Sequence, residues 1–153
     1  MSKKITPKAF LVIRRGNEIL VQEGYDRVAK KAFFRPPGGK VEFGEYSQQT
    51  VVRELKEELG IDVTVVTAVG MLENIFTLDG ENHHEIVFVF EGVFNEEALY
   101  QKSVLEAVEG QRKFEMIWVN LQDFFSQRLR LVPPELNGLL QESEIIPLQV
   151  VSK

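Results

Sequence analysis

This sequence predicts an α/β fold, an α/β/α sandwich in which a mixed β-sheet carries helices on its faces. Three observations lead there. A leading set of short β-rich runs is punctuated by turn residues. A single long run with helical spacing, residues 47–59, follows. Further β-rich runs then alternate with short helical segments to the end of the chain.

Taken in order, residues 8–13 (KAFLVI) read as a strand that turns at Arg15-Gly16-Asn17 into a second strand, 18–22, making a hairpin. Residues 24–31 form a polar, basic loop, and 32–35 a short strand ending at Pro36-Pro37-Gly38-Gly39. Prolines lack the backbone donor and paired glycines reach conformations closed to other residues, so a sharp turn is expected. The helix spans 47–59, with Ser47 as its N-cap and Gly60 as its stop. Residues 63–76 are β-rich, and Asp79-Gly80 turns them toward a strand at 85–94. A strand at 114–119, a short helix at 121–126, a helical turn at 135–141 after Pro133-Pro134 and a closing strand at 145–151 complete the reading.

Composition narrows the function classes. With 153 residues, one domain is expected, large enough to bury a core without staples. The chain has no cysteine, which excludes disulfides, zinc-thiolate sites and a cysteine nucleophile and suits a reducing cytoplasm. No apolar run approaches the roughly 20 residues that cross a bilayer, and the basic start MSKKITPK lacks a following signal-type apolar region, so no membrane association is expected. A net charge of −5 argues against a broad electrostatic grip on nucleic acid. Acidic enzymes still bind polyphosphates when a metal supplies the positive charge.

The densest chemistry lies at 39–61, GKVEFGEYSQQTVVRELKEELGI, where Glu45, Glu54, Glu57, Glu58 and Asp62 crowd one loop–helix segment. Glu54, Glu57 and Glu58 stand at i, i+3 and i+4 and fan over roughly 100° of one helix face. They repel one another, and the C-terminal half of a helix further disfavours anions. Val51, Val52, Leu55 and Leu59 form the core-facing stripe, with Gln49 and Lys56 toward water. The glutamates flank that stripe, where a cleft forms and carboxylates interact more strongly than in bulk water. Taken alone, an ELKEEL helix is ordinary solvated charge with i, i+4 pairs. Beside a core, it reads as a site for a multivalent cation.

The whole pattern is Gly39, five residues, Glu45, seven residues, then Arg53-Glu54-Leu55-x-Glu57-Glu58-x-Gly60-Ile61. At every fixed position it resembles the signature box of the Nudix hydrolases, and a weaker resemblance in strand order extends over about residues 5–150. The resemblance implies a Nudix-type sandwich. It also implies hydrolysis of a diphosphate bond with Mg²⁺, for which Mn²⁺ can substitute, in a nucleoside diphosphate linked to another moiety such as a sugar. Glu57 and Glu58 match the family's principal metal ligands, and Glu54 matches a residue that ligates metal or orients the attacking water. The Gly38 carbonyl is an extra ligand by the same resemblance. Arg53 matches the arginine that pairs with a box glutamate, a task for which its planar fork suits it. Glu45 is expected to support the loop.

The family often adds an acid from outside the box, as base or ligand. Glu109, in a loop before the strand at 114–119, is the first candidate, with Glu106 and Glu85 behind it; exposed surface charge accounts equally well for each. Arg35, just before the proline pair, is a candidate for substrate phosphate, and a surface salt bridge accounts for it nearly as well. His83 and His84 sit at a hairpin end and point to opposite sides, which suits a loop role better than ligation. Trp118 and the phenylalanines are core by default, and nothing in their spacing separates base stacking by Phe33, Phe76 or Tyr25 from packing.

Other classes fit less well. A regulatory module on this fold usually has a degraded box, and this one is intact. Isopentenyl diphosphate isomerisation needs a cysteine that is absent, and decapping or DNA repair brings basic surfaces or extra domains. The diphosphate is read by the helix and the rest of the substrate by loops such as 23–31, 77–84 and 95–113. A nucleoside diphosphate derivative is expected, with a nucleoside triphosphate as the alternative. The partner is this small molecule, with neither nucleic acid nor membrane, and family habit adds a homodimer.

Overall fold

A computed structural model describes residues 3–145. In chain order the strands are β1 (Ile5–Arg15), β2 (Glu18–Asp26), β3 (Lys31–Arg35), β4 (Gly38–Lys40), β5 (Val63–Leu78), β6 (Glu81–Phe94), β7 (Val104–Glu109) and β8 (Arg112–Asn120). The helices are α1 (Ser47–Leu59), α2 (Leu121–Phe125) and α3 (Leu136–Ile145), with a 3-10 turn at Glu97–Gln101. Among the described residues, no helix is long and apolar enough to cross a membrane.

The run AFLVI explains why β1 is central. Residues 9–13 are buried on both faces, so the strand reads as continuous apolar sequence rather than alternation. Ala9, Leu11 and Ile13 join Leu20, Met116 and Trp118 beneath Val51 and Leu55 of α1. Phe10 and Val12 join Ile19 and Val21 against Leu121 and Phe124 of α2 and Leu136 and Leu140 of α3. One helix therefore covers one face and two cover the other, the expected mixed-sheet sandwich.

The sheet order is β5-β6-β1-β2-β8-β7, with β3 on β2 and β4 on β1. β1 runs parallel to β6, while the pairing of β5 with β6, β2 with β8 and β7 with β8 is antiparallel. The β1–β2 hairpin is paired only beside its turn, at Arg14↔Ile19 and Arg15↔Glu18. Beyond that point the two strands pair with different neighbours. The sheet thus opens into two halves, and a wedge between them is available to a ligand.

Several expectations need correction. β2 continues to Asp26 through sequence read as a polar loop, because β3 pairs with it from Gln22↔Arg35 to Asp26↔Lys31. Gly38-Gly39 forms part of β4 rather than only a turn, held by pairing with Phe10 and Ala9. β6 starts at Glu81, so His83 and His84 lie within a strand and not in a loop. β7 occupies sequence read as loop. Tyr46 rather than Ser47 caps α1, its backbone N–H donating to the Gln49 side chain at 2.9 Å. Val52 is exposed, and Thr50 and Glu58 are buried in its stead. α3 extends to Ile145, and the remainder of the closing strand lies outside the described residues.

Candidate active site

α1 ends at Gly60, whose left-handed backbone (φ 70°) lets its N–H reach the Lys56 carbonyl at 3.0 Å. The helix is anchored to the sheet by Val51 and Leu55, both fully buried. Its carboxylates consequently have distinct surroundings on its two flanks.

On the first flank Arg53 is saturated. Its Nε donates to Glu45 Oε2 at 2.7 Å and its Nη2 to Glu45 Oε1 at 3.1 Å, a bidentate pair. Nη1 donates to Glu54 at 2.9 Å and Glu57 at 3.1 Å, and Nη2 also reaches the Lys40 carbonyl at 3.0 Å. Glu45 further accepts from the Thr50 hydroxyl and the Glu42 backbone N–H. The Arg53 hydrogen bond, with those donors, holds the Glu45 carboxyl down at about 2 despite some burial. The glycine loop is thereby stitched to the helix.

The second flank is unsaturated. Glu58 is 7% exposed and stands beside the Glu54 carboxyl. Burial first, then the charges of Glu54 and Glu109, push its carboxyl up to about 7, while Arg35 pulls the other way. Arg35 lies over the Phe10 ring at 5.5 Å, and its buried Nη1 has no hydrogen-bond partner among the described residues. Burial lowers the pKa of its guanidinium, opposed by Glu58, Glu109, Glu85 and Glu54 in that order. Arg35 is therefore no surface salt bridge. It stands between the helix acids and a cleft of about 680 Å³.

That cleft is lined from β2 and β3 by Gln22, Phe33 and Arg35, and from β5 and β6 by Asn74, Phe76 and Glu85. It occupies the opening between the sheet halves. Glu85 is buried and paired with Lys8 at 2.9 Å, so it serves the cleft floor. Glu109 ends β7, is more than half exposed, and meets Arg112 at 3.5 Å. β7 packs against α1, and the Glu109 charge adds to the upward push on Glu58. Glu106 is exposed along β7.

The expected metal set of Gly38, Glu54, Glu57 and Glu58 is gathered on one segment without converging. Among the described residues, no group of three or more His, Cys, Asp or Glu side chains is arranged to hold an ion. Arg53 draws Glu57 outward, where 59% of its side chain is exposed, and Gly38 is packed in β4. The donor set nevertheless fits a hard divalent cation: carboxylate oxygens one helical turn apart, one of them buried beside a like charge that disfavours its anionic form. A Cβ at Gly39 would overlap the Glu54 carboxyl, so only glycine lets the loop backbone approach that group. Gln22 and Asn74 were not singled out by sequence reasoning. For Gln22 the available signal was an amide closing the apolar run Ile19-Leu20-Val21; Asn74 follows Glu73 in a strand of mixed polarity and carried none.

A family model, the NUDIX domain, matches residues 4–140, and the chain belongs to the Nudix hydrolase family. An 8-oxo-dGTP diphosphatase of Proteus vulgaris is 32% identical over 74 residues, covering 48% of this chain and 66% of that protein. A CTP pyrophosphohydrolase of Escherichia coli K12 is 41% identical over 54 residues, covering 35% and 40%. Matches to the curated relatives span from 21% to 66% of those proteins' own lengths. Among solved structures, a Nudix hydrolase from Nitrosomonas europaea superposes with a TM-score of 0.64 at 18% identity, covering 93% of this chain and 90% of that one, and shares the fold.

Proposed function

We propose that this protein is a Mg²⁺-dependent pyrophosphohydrolase that cleaves a diphosphate bond in a nucleoside diphosphate linked to another moiety. The observation that carries this reading is the buried Glu58 with half-buried Glu54 at its side and Arg35 nearby at the edge of the cleft. Arg53 neutralises Glu54 but does not reach Glu58, so two adjacent carboxylates at this depth remain costly, and a divalent cation together with a diphosphate balances them. When bound, Mg²⁺, or Mn²⁺ in its place, polarises phosphoryl oxygens and makes a coordinated water acidic. Glu54, Glu57 and Glu58, with the Gly38 carbonyl, would hold it. Arg53 fixes the rotamers of Glu54 and Glu57. Arg35 Nη1 donates to a phosphate oxygen, and the Glu109 carboxylate takes the proton of the attacking water.

A nucleoside triphosphate is the second reading, supported by the names of the two curated relatives. Either substrate suits a small enzyme of the cytoplasm. The deciding experiment is a phosphate-release screen with and without Mg²⁺ over nucleotide sugars, ADP-ribose, dinucleoside polyphosphates and nucleoside triphosphates. Turnover is expected to need the metal and to vanish in Glu57→Gln and Glu58→Gln. Activity surviving both substitutions would refute the assignment of those carboxylates.

A further inference from the structure

The two halves of the sheet are joined at one end by the β1–β2 turn, where Arg14 pairs with Ile19. From there the walls of the cleft run outward, Gln22 to Asp26 on one side and Asn74 to Leu78 on the other. Each wall spans four residue steps, or roughly 13 Å at about 3.3 Å per residue. Strands that part at a hinge are expected to lie furthest apart at their free ends. These meet again. The β2–β3 tip, which belongs to one half, is hydrogen-bonded to the β5–β6 tip, which belongs to the other.

The bonding is reciprocal. The Asp79 backbone N–H donates to Asp26 Oδ1 at 3.2 Å, and the Arg27 backbone N–H donates to Asp79 Oδ1 at 2.8 Å. Val28 lies over Gly80, where a Cβ would stand 3.5 Å from its Cγ2. Part of this is ordinary turn chemistry. Asp26 Oδ1 also accepts from the Val28 and Ala29 N–H groups, both at 3.0 Å, as an aspartate does when it closes its own loop. The bond to Asp79 has no such local use, because it crosses 53 residues of sequence and joins the two halves. Asp26 is 4% exposed, so water competes poorly for its oxygen. The Arg27–Asp79 ion pair adds little, being 3.4 Å long with the Arg27 side chain 82% exposed.

Asp26, Arg27, Leu78 and Asp79 all line the cleft, so this clasp bounds it at the end away from the β1–β2 turn. We infer that Asp26 and Asp79 are positioning residues that hold the two halves together at their tips and thereby limit the size of the ligand the cleft admits. The inference deepens the proposed function and rests on it in taking the ligand to be a nucleotide derivative.

The chain has no cysteine, so Lys31→Cys and Glu81→Cys, at exposed positions with one on each tip, place spin labels there and nowhere else. The distance between the labels should be narrowly distributed in the otherwise unaltered protein. Asp79→Gly tolerates the left-handed backbone at this position (φ 52°) and deletes one acceptor of the clasp, and adding Asp26→Ala deletes the other. The distribution should broaden in the single variant and further in the double. Asp79→Asn and Asp26→Asn retain an acceptor oxygen and should leave it narrow. On the same proteins, kcat/KM with Mg²⁺ is compared for three compounds: ADP-ribose, ADP-ribose carrying a hexyl group on the adenine amine, and diadenosine diphosphate. Binding of the same three is measured without metal. Wild type should disfavour at least one enlarged compound by roughly tenfold, and the double variant should lose that discrimination, through KM rather than kcat. A distribution that stays narrow in the double variant, discrimination that survives it, or wild-type protein that does not discriminate would overturn the inference. Binding discrimination lost with the clasp, in protein that hydrolyses none of the three, would keep the clasp and remove the pyrophosphohydrolase. Hydrolysis with discrimination unchanged would do the reverse.

Discussion

Arg53 and Arg35 both face carboxylates of α1, and their surroundings are opposite. Arg53 spends its fork on Glu45, Glu54, Glu57 and the Lys40 carbonyl. Arg35 keeps a buried Nη1 with no partner among the described residues, and its strongest neighbouring charge, Glu58, sits in a carboxyl pushed up to about 7. The first network is complete and holds a loop on a helix. The second is incomplete and borders a cavity. A finished polar network contributes rigidity, whereas an unfinished one retains free energy for a ligand to collect.

Substitutions should separate the two flanks by what they damage. Glu58→Gln is expected to cut kcat by roughly a hundred- to a thousandfold. Its melting temperature should match or exceed that of the wild type, because a buried ionisable group has been replaced by a neutral isostere. A clear loss of stability would mean that Glu58 belongs to the scaffold after all. Glu109→Gln should lower kcat by roughly a hundredfold with little change in magnesium affinity, since its role is proton transfer rather than ligation. Unchanged turnover in that variant would take Glu109 out of the reaction and return it to surface charge beside Arg112.

The Arg53 flank should respond in the other currency. Arg53→Lys keeps the charge but not the fork, so the bidentate pair with Glu45 and one contact to the helix acids are lost. About 2 kcal/mol of unfolding free energy should disappear in urea titration, with a smaller effect on hydrolysis than Glu58→Gln produces. Equal losses of activity in the two variants would erase the distinction between scaffold and reactive flank.

Much of this contrast was legible beforehand, and the reason is local. The 3.6-residue spacing of Val51 and Leu55, the stop at Gly60 and the fixed spacing from Gly39 to Ile61 are properties of neighbouring residues. β4 and β7 escaped because their evidence is not local. Gly38-Gly39 has almost no side chain with which to signal a strand, and it pairs through its backbone with β1. Residues 104–109 become a strand by pairing with β8. Val52 was misplaced because α1 rests on the line through Val51 and Leu55, which rotates Val52 toward water. Gln22 and Asn74 depend on the divergence of β1 from β2, a relation between distant segments that no window of sequence contains.

The smallest expected effect concerns acid stability, and its sign is fixed by Glu45. The ordinary value for this carboxyl is 4.5, and in the folded protein it lies at about 2, chiefly through the Arg53 hydrogen bond. A depressed folded-state pKa means that the unfolded chain takes up the proton first. The stabilisation is therefore complete above about 4.5 and fades as the pH falls toward 2. Asp26, lowered mainly by the Ala29 backbone N–H, adds to the same acid limb, so the wild-type curve alone does not isolate Glu45. Glu45→Gln does. That variant should melt below wild type at about pH 6 and converge with it as the pH falls below about 2, where both side chains become neutral. A gap of the same size at both pH values would show that the loop is held by shape and neutral hydrogen bonds, and that the completed flank owes nothing to the Glu45–Arg53 charge pair.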